Sequence, residues 1–79
     1  MITSRQCRAA RALLGWTQAQ LAEEAAIGID VVRRFERSES DTRSSGLIAI
    51  EKAVRRSGIK LLQAENGEGE GVRFAKEKA

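Results

Sequence analysis

Three arginines, Arg33, Arg34 and Arg37, lie close together near the middle of this 79-residue chain. A guanidinium group presents its N–H donors as a planar fork. That fork matches the O6 and N7 acceptors of guanine and the oxygens of a phosphate. The alternative interpretation is an ordinary solvated helix face. The choice between the two depends on the elements that carry these arginines.

Two of these arginines, Arg33 and Arg34, lie at the end of the second of two short helical patterns within residues 15–36. Thr17 is expected to cap the first helix, and residues 25–28 form the turn to a second helix over residues 29–37. Two helices this short are unstable alone. The short turn between them forces the two helices to cross at a steep angle, which leaves one helix with an outward face. This arrangement is typical of a helix-turn-helix, and it makes double-stranded DNA the leading candidate partner.

Two more helices are expected around this pair. The first begins at a cap, Thr3 or Ser4, and ends near Leu14, while the fourth covers about residues 45–57 after a polar segment over 38–45. The apolar residues that recur at helical spacing predict the core, with these members: Cys7, Ala10, Leu13, Leu14, Val32, Phe35, Leu47, Ile50, Ala53 and Val54.

A β-hairpin is expected at the C-terminal end, where short apolar segments flank Asn66 and Gly67. An isolated two-stranded hairpin is barely stable in water. We therefore expect this hairpin to pack on the helices or to pair with a second subunit.

Composition narrows the classes of function. The 42% hydrophobic residues suit one globular domain, no apolar run is long enough for a membrane span, and the net charge of +3 is compatible with nucleic acid. The single cysteine, Cys7, fits a reducing cytoplasm and a packing role, with redox sensing as the alternative. With no histidine, metal-ligand cluster or nucleotide-binding glycine loop, we expect neither an enzyme nor a bound cofactor or metal.

The helix-turn-helix residues also carry a family pattern. Its members are the run over residues 11–22 together with Ile27, Val32, Phe35 and Glu36. Across about residues 5–56 the chain resembles the XRE (Cro/C1-like) family, the phage-repressor type of helix-turn-helix. The segment over residues 58–74 looks like the ending of a bacterial subgroup of small stand-alone members.

The resemblance implies an all-α fold: a compact four- to five-helix repressor-like helix-turn-helix domain with a short C-terminal β-hairpin. Residues 1–58 would form the DNA-binding domain. Residues 59–79 would form the hairpin and tail, a candidate dimerisation element.

The resemblance also assigns roles to individual residues. Gln18 matches the family glutamine that grips a phosphate and braces the reading helix. Thr17 caps the second helix, which begins at Gln18, and offers its backbone N–H groups to the DNA. Arg11 and Glu36 match a pair that forms a structural salt bridge between the first and third helices.

The recognition helix, residues 28–37, would lie in the major groove. Its outward side is formed by Gly28, Ile29, Asp30, Val31, Arg33 and Arg34. Of these, Ile29, Asp30 and Arg34 match the family positions likeliest to touch base edges. For Arg37, phosphate contact and simple exposure both remain open.

Three of these positions depart from the family pattern. Gly28 stands where a Ser or Thr cap is usual, and Val31 replaces a small hydroxyl residue. Phosphates repel the carboxylate of Asp30 unless it accepts a hydrogen bond from cytosine or pairs with Arg33 or Arg34.

The expected function is sequence-specific binding of double-stranded DNA by a cytoplasmic bacterial transcriptional regulator, a repressor acting as a homodimer. Its half-sites would lie roughly 34–36 Å apart. Either the exposed side of the fourth helix or the hairpin would supply the dimer contact. The alternative is an antitoxin-like or adaptor protein whose main role is to bind a partner protein.

Overall fold

A computed structural model of the protein describes residues 1–37 and 44–77. In chain order the elements are α1 (Ser4–Leu14), α2 (Gln18–Ala25), α3 (Ile29–Arg37), α4 (Ser44–Arg56), β1 (Ile59–Leu62) and β2 (Gly71–Phe74). A polar segment was predicted over residues 38–45. Residues 38–43 of it lie outside the described residues, and the last two belong to α4. The last two residues of the predicted tail also lie outside them. No helix among the described residues combines the length and apolarity needed to cross a bilayer.

The predicted all-α class is wrong, because a two-stranded antiparallel sheet belongs to the domain, and residues 1–37 and 44–77 contain no fifth helix. The segment after α4 forms strands because its burial alternates, with Ile59 and Leu61 buried and Lys60 exposed. Ile59 pairs with Phe74 across the sheet, and a tight turn at residues 66–67 joins the strands. The predicted hairpin is thus present, and it contributes to the core.

The core draws buried residues from the four helices, from β1 and from the N-terminal segment, and Val72 and Phe74 of β2 pack against it partly buried. Its buried apolar members are Ile2, Cys7, Ala10, Leu21, Ala22, Val32, Phe35, Ile50, Ala53, Val54, Ile59 and Leu61. Leu13, predicted to lie in the core, is 39% exposed. The reason is that Cys7, Ala10 and Leu14 define the inner stripe of α1, and Leu13 lies at the edge of that stripe.

Local hydrogen bonds fix the N-terminal end of α2. The N–H of Gln20 donates to Oγ1 of Thr17 at 3.0 Å, and the N–H of Thr17 donates to Oε1 of Gln20 at 2.8 Å, which completes a capping box. At the other end Ala26 adopts a left-handed conformation with φ of 57°. This conformation costs an alanine about 1–2 kcal/mol, so the surrounding packing must hold the turn to α3 in place.

A buried glutamine joins α1 to both strands. Gln6 is 2% exposed, and its Nε2 donates to the carbonyl oxygens of Leu62 at 2.9 Å and Gly71 at 3.0 Å. Its Oε1 accepts from the N–H of Thr3 at 3.0 Å. Because both donors and the acceptor of the amide are used, its burial carries little penalty, and the sheet is fixed against α1.

Candidate nucleic-acid interface

A buried carboxylate near the C-terminal end of α3 joins the first three helices. The side chain of Glu36 is 4% exposed. Its Oε2 accepts from Nε of Arg11 at 2.7 Å and its Oε1 from Nη2 of Arg11 at 2.8 Å, so the two residues expected to pair form a bidentate ion pair. Nε2 of Gln18 donates to the same Oε1 at 2.9 Å. This Glu36 network therefore holds α3 in a fixed orientation against α1 and α2.

The surroundings of Glu36 favour its charged form. Burial acts to raise the pKa of the Glu36 carboxyl, but hydrogen bonds from Arg11, Gln18 and Cys7 outweigh it and hold the pKa below its usual range. The hydrogen bonds to Glu36 raise the pKa of Arg11 further. The network is therefore an ion pair at neutral pH.

Cys7 is a member of the same network. Its Sγ donates to Oε2 of Glu36 at 3.2 Å. Burial first, and then this hydrogen bond and the negative charge of Glu36, raise the pKa of the Cys7 thiol. A buried, protonated thiol is a poor nucleophile, which favours the packing role expected for Cys7.

An open depression on the surface borders the Glu36 network. We call it the arginine depression, and its lining residues are Arg8, Arg11, Gln18, Arg33, Glu36 and Arg37. Four arginines and one glutamate line the depression, so its net charge is positive. Arg8 also donates to the backbone carbonyl of Glu36, which ties α1 to the last turn of α3. An open basic surface of this kind suits a phosphate on a nucleic-acid backbone.

The N-terminus of α2 lies at the edge of the arginine depression, because Gln18 is both the first residue of α2 and part of the lining. Thr17, the cap residue, is exposed beside it. The capping box uses the N–H groups of Thr17 and Gln20, and helix geometry leaves those of Gln18 and Ala19 without an intrahelical acceptor. Such N–H groups, at the positive end of the helix dipole, can bind an anion.

The first turn of α3 carries a second exposed group. Oδ2 of Asp30 lies 3.8 Å from Nη2 of Arg34, one turn later, and the two side chains are 75% and 58% exposed. Gly28 is exposed, and a Cβ at this position would lie 2.6 Å from Oδ1 of Asp30. Ile29 and Val31 are half-buried, and Ile29 packs against the core. At Ile29 the core therefore competes with any outside partner for the side chain.

The exposed charges of α3 thus form two groups. Arg33 and Arg37 line the arginine depression, whereas Asp30 and Arg34 form an ion pair that is not part of its lining. A helix with two such groups can contact DNA phosphates with one group and base edges with the other.

Arg8 is a site residue that was not singled out in the sequence. It precedes Arg11 by three residues, so the two lie on one face of α1, and this spacing is the signal that identifies it. The contact between Cys7 and Glu36 has no such signal, because the two residues are 29 positions apart.

Comparison with known proteins adds no family assignment: the sequence matches no protein-family model, and no curated protein is significantly similar to it.

Proposed function

We propose that this protein binds double-stranded DNA sequence-specifically, with α3 in the major groove, as a cytoplasmic transcriptional repressor that acts as a homodimer. The observation that carries the proposal is the outward side of α3. It presents exposed arginines on a helix whose orientation is fixed by the Glu36 network. A rigid basic helix of this kind is what major-groove recognition requires.

The phosphate contacts are assigned to the arginine depression and the N-terminus of α2. Arg8, Arg33 and Arg37 supply the positive charge, and the N–H groups of Gln18 and Ala19 supply directed donors. Contacts of this type position a protein on the duplex and provide most of its non-specific affinity.

Base reading is assigned to the first turns of α3, with Arg34 as the main donor. A single helix of this length contacts only a few base pairs, too few to select one site in a genome. Two-fold symmetry doubles the contacts, so the proposed active form is a homodimer on half-sites about one helical turn apart.

Replacing Arg34 with alanine tests the reading assignment. We expect Arg34→Ala to weaken binding of the dimer to a selected duplex by at least about 30-fold, because one bidentate arginine–guanine contact, worth about 1–3 kcal/mol, is lost in each half-site. The fold should be unchanged, since the ion pair with Asp30 is exposed and contributes little to stability. Fluorescence anisotropy with the selected and a scrambled duplex measures the first effect, and thermal melting measures the second.

Arg55→Ala is the matched control. Arg55 is an exposed arginine on α4 that forms an ion pair of the same spacing with Glu51, and its side chain is 51% exposed. This variant should bind the selected duplex within about twofold of the unchanged protein, as an exposed arginine outside the interface should. Equal binding by Arg34→Ala and Arg55→Ala would contradict the assignment of α3 to the groove.

A further inference from the structure

The carboxylate of Asp30 is an unexpected group on a surface proposed to meet DNA. It lies in the first turn of α3, 75% exposed, beside the arginine assigned to base reading. A carboxylate near phosphates is repelled unless it accepts a hydrogen bond from a donor on the DNA. Asp30 therefore restricts which sequences this surface can meet.

The base edges determine that restriction. In the major groove, guanine offers two acceptors, O6 and N7, whereas the N4 amino group of cytosine offers a donor. Adenine also has an amino donor, but its N7 acceptor beside that donor would repel a carboxylate. An arginine next to an aspartate thus complements guanine next to cytosine.

The separation of the two side chains fits neighbouring base pairs. Oδ2 of Asp30 and Nη2 of Arg34 are 3.8 Å apart, and successive base pairs are stacked about 3.4 Å apart. An exposed pair at this distance is weak, so exchanging it for two contacts to bases costs little.

Gly28 leaves the room in which Asp30 adopts this position. A Cβ at residue 28 would lie 2.6 Å from Oδ1 of Asp30, which forces the carboxylate to move. The backbone of Gly28 is not in the left-handed region, so a substitution there tests the side-chain position without backbone strain.

We propose that Asp30 and Arg34 act as one specificity unit for two consecutive G·C base pairs in each half-site. Arg34 donates to O6 and N7 of a guanine, and Asp30 accepts from the N4 amino group of a cytosine in the neighbouring pair. The inference rests on the proposed DNA binding and adds the class of sequence that is bound.

Asp30→Asn is the decisive variant, because asparagine donates to N7 and accepts from N6 of adenine. In selections from random duplexes, the unchanged protein should enrich two consecutive G·C pairs. Asp30→Asn should shift the preferred base at the Asp30 position from cytosine to adenine, with a change of about 10-fold in their ratio. Ratios between bases are compared because removing a negative charge raises affinity for all DNA.

Two further variants separate charge from position. Asp30→Ala removes the charge and should abolish the cytosine preference without a gain for adenine. Gly28→Ala keeps the carboxylate but displaces it, and should weaken the cytosine preference while the guanine read by Arg34 remains.

The outcomes distinguish this inference from the proposed function. If the unchanged protein enriches a sequence without consecutive G·C pairs, or if Asp30→Asn keeps its cytosine, the specificity unit is wrong while DNA binding stands. If no protein in the set enriches any sequence, the proposed function itself fails.

Discussion

Replacing Glu36 with alanine is expected to lower the free energy of unfolding by about 3 kcal/mol. The side chain is 4% exposed and accepts hydrogen bonds from Arg11, Gln18 and Cys7, all of which lose their acceptor in the variant. The side chain of Arg11 is 21% exposed, and its charge would be left without the carboxylate that neutralises it. Urea unfolding monitored by circular dichroism measures the change.

Two comparisons make the Glu36 result specific. Glu23→Ala removes an exposed glutamate from α2 and should change stability by no more than about 0.5 kcal/mol. Replacing both Arg11 and Glu36 with methionine removes both charges of the ion pair. This double variant should recover at least half of the free energy of unfolding that Glu36→Ala loses, because no unpaired charge is left behind. A loss below about 1 kcal/mol in Glu36→Ala would mean that the network stabilises the fold no more than a surface ion pair does.

The same network predicts a pH dependence. The folded-state pKa of Glu36 is below the ordinary glutamate value of 4.5, so its contribution to stability is complete above that pH. The contribution is lost as the pH falls through the lower folded-state pKa. Glu36→Gln cannot titrate at this position, so its stability should decline less steeply below pH 4.5 than that of the unchanged protein.

DNA binding is expected to weaken about 10³-fold between 50 and 200 mM salt. Three arginines of the depression, Arg8, Arg33 and Arg37, form no ion pair with the carboxylate of Glu36, whereas Arg11 does. A homodimer doubles them to about six phosphate contacts, which corresponds to a slope of log affinity on log salt of about −5. Anisotropy titrations at several salt concentrations give the slope.

A double variant locates this salt dependence on the surface. Replacing Arg33 and Arg37 with alanine removes about four contacts from the dimer and should make the slope shallower by about 3 to 4. Arg55→Ala, on α4, should leave it unchanged. An affinity that does not depend on salt, or a slope that the double variant does not alter, would contradict the assignment of phosphates to the arginine depression.

Much of the fold follows from rules that act over a few residues. Thr17 occupies the cap of α2, and the turn at Asn66 and Gly67 joins the two strands, because both depend on the local backbone. Val32 and Phe35 are buried as their spacing predicts. The all-α class was wrong because it treated the predicted hairpin as an addition to a helical domain, whereas the burial of Ile59 makes the sheet part of the core.

The candidate site depends more on distant partners, so less of it could be predicted. The pair of Arg11 and Glu36 followed from the resemblance, but a buried thiol at Cys7 that donates to Glu36 could not be inferred from spacing. Gln6 looks like an ordinary polar helix residue, yet its amide bonds carbonyls 56 and 65 positions away. Only the three-dimensional fold brings such groups together.

The proposed function depends on α3 reading the sequence of double-stranded DNA. The most direct test is selection of the unchanged protein on a pool of random duplexes at low salt, followed by a mass measurement of the selected complex. We predict an enriched inverted repeat whose half-sites are about 10 base pairs apart from centre to centre, bound by two chains. A pool that remains random after selection would contradict the claim and would favour the alternative, a protein that acts by binding a partner protein.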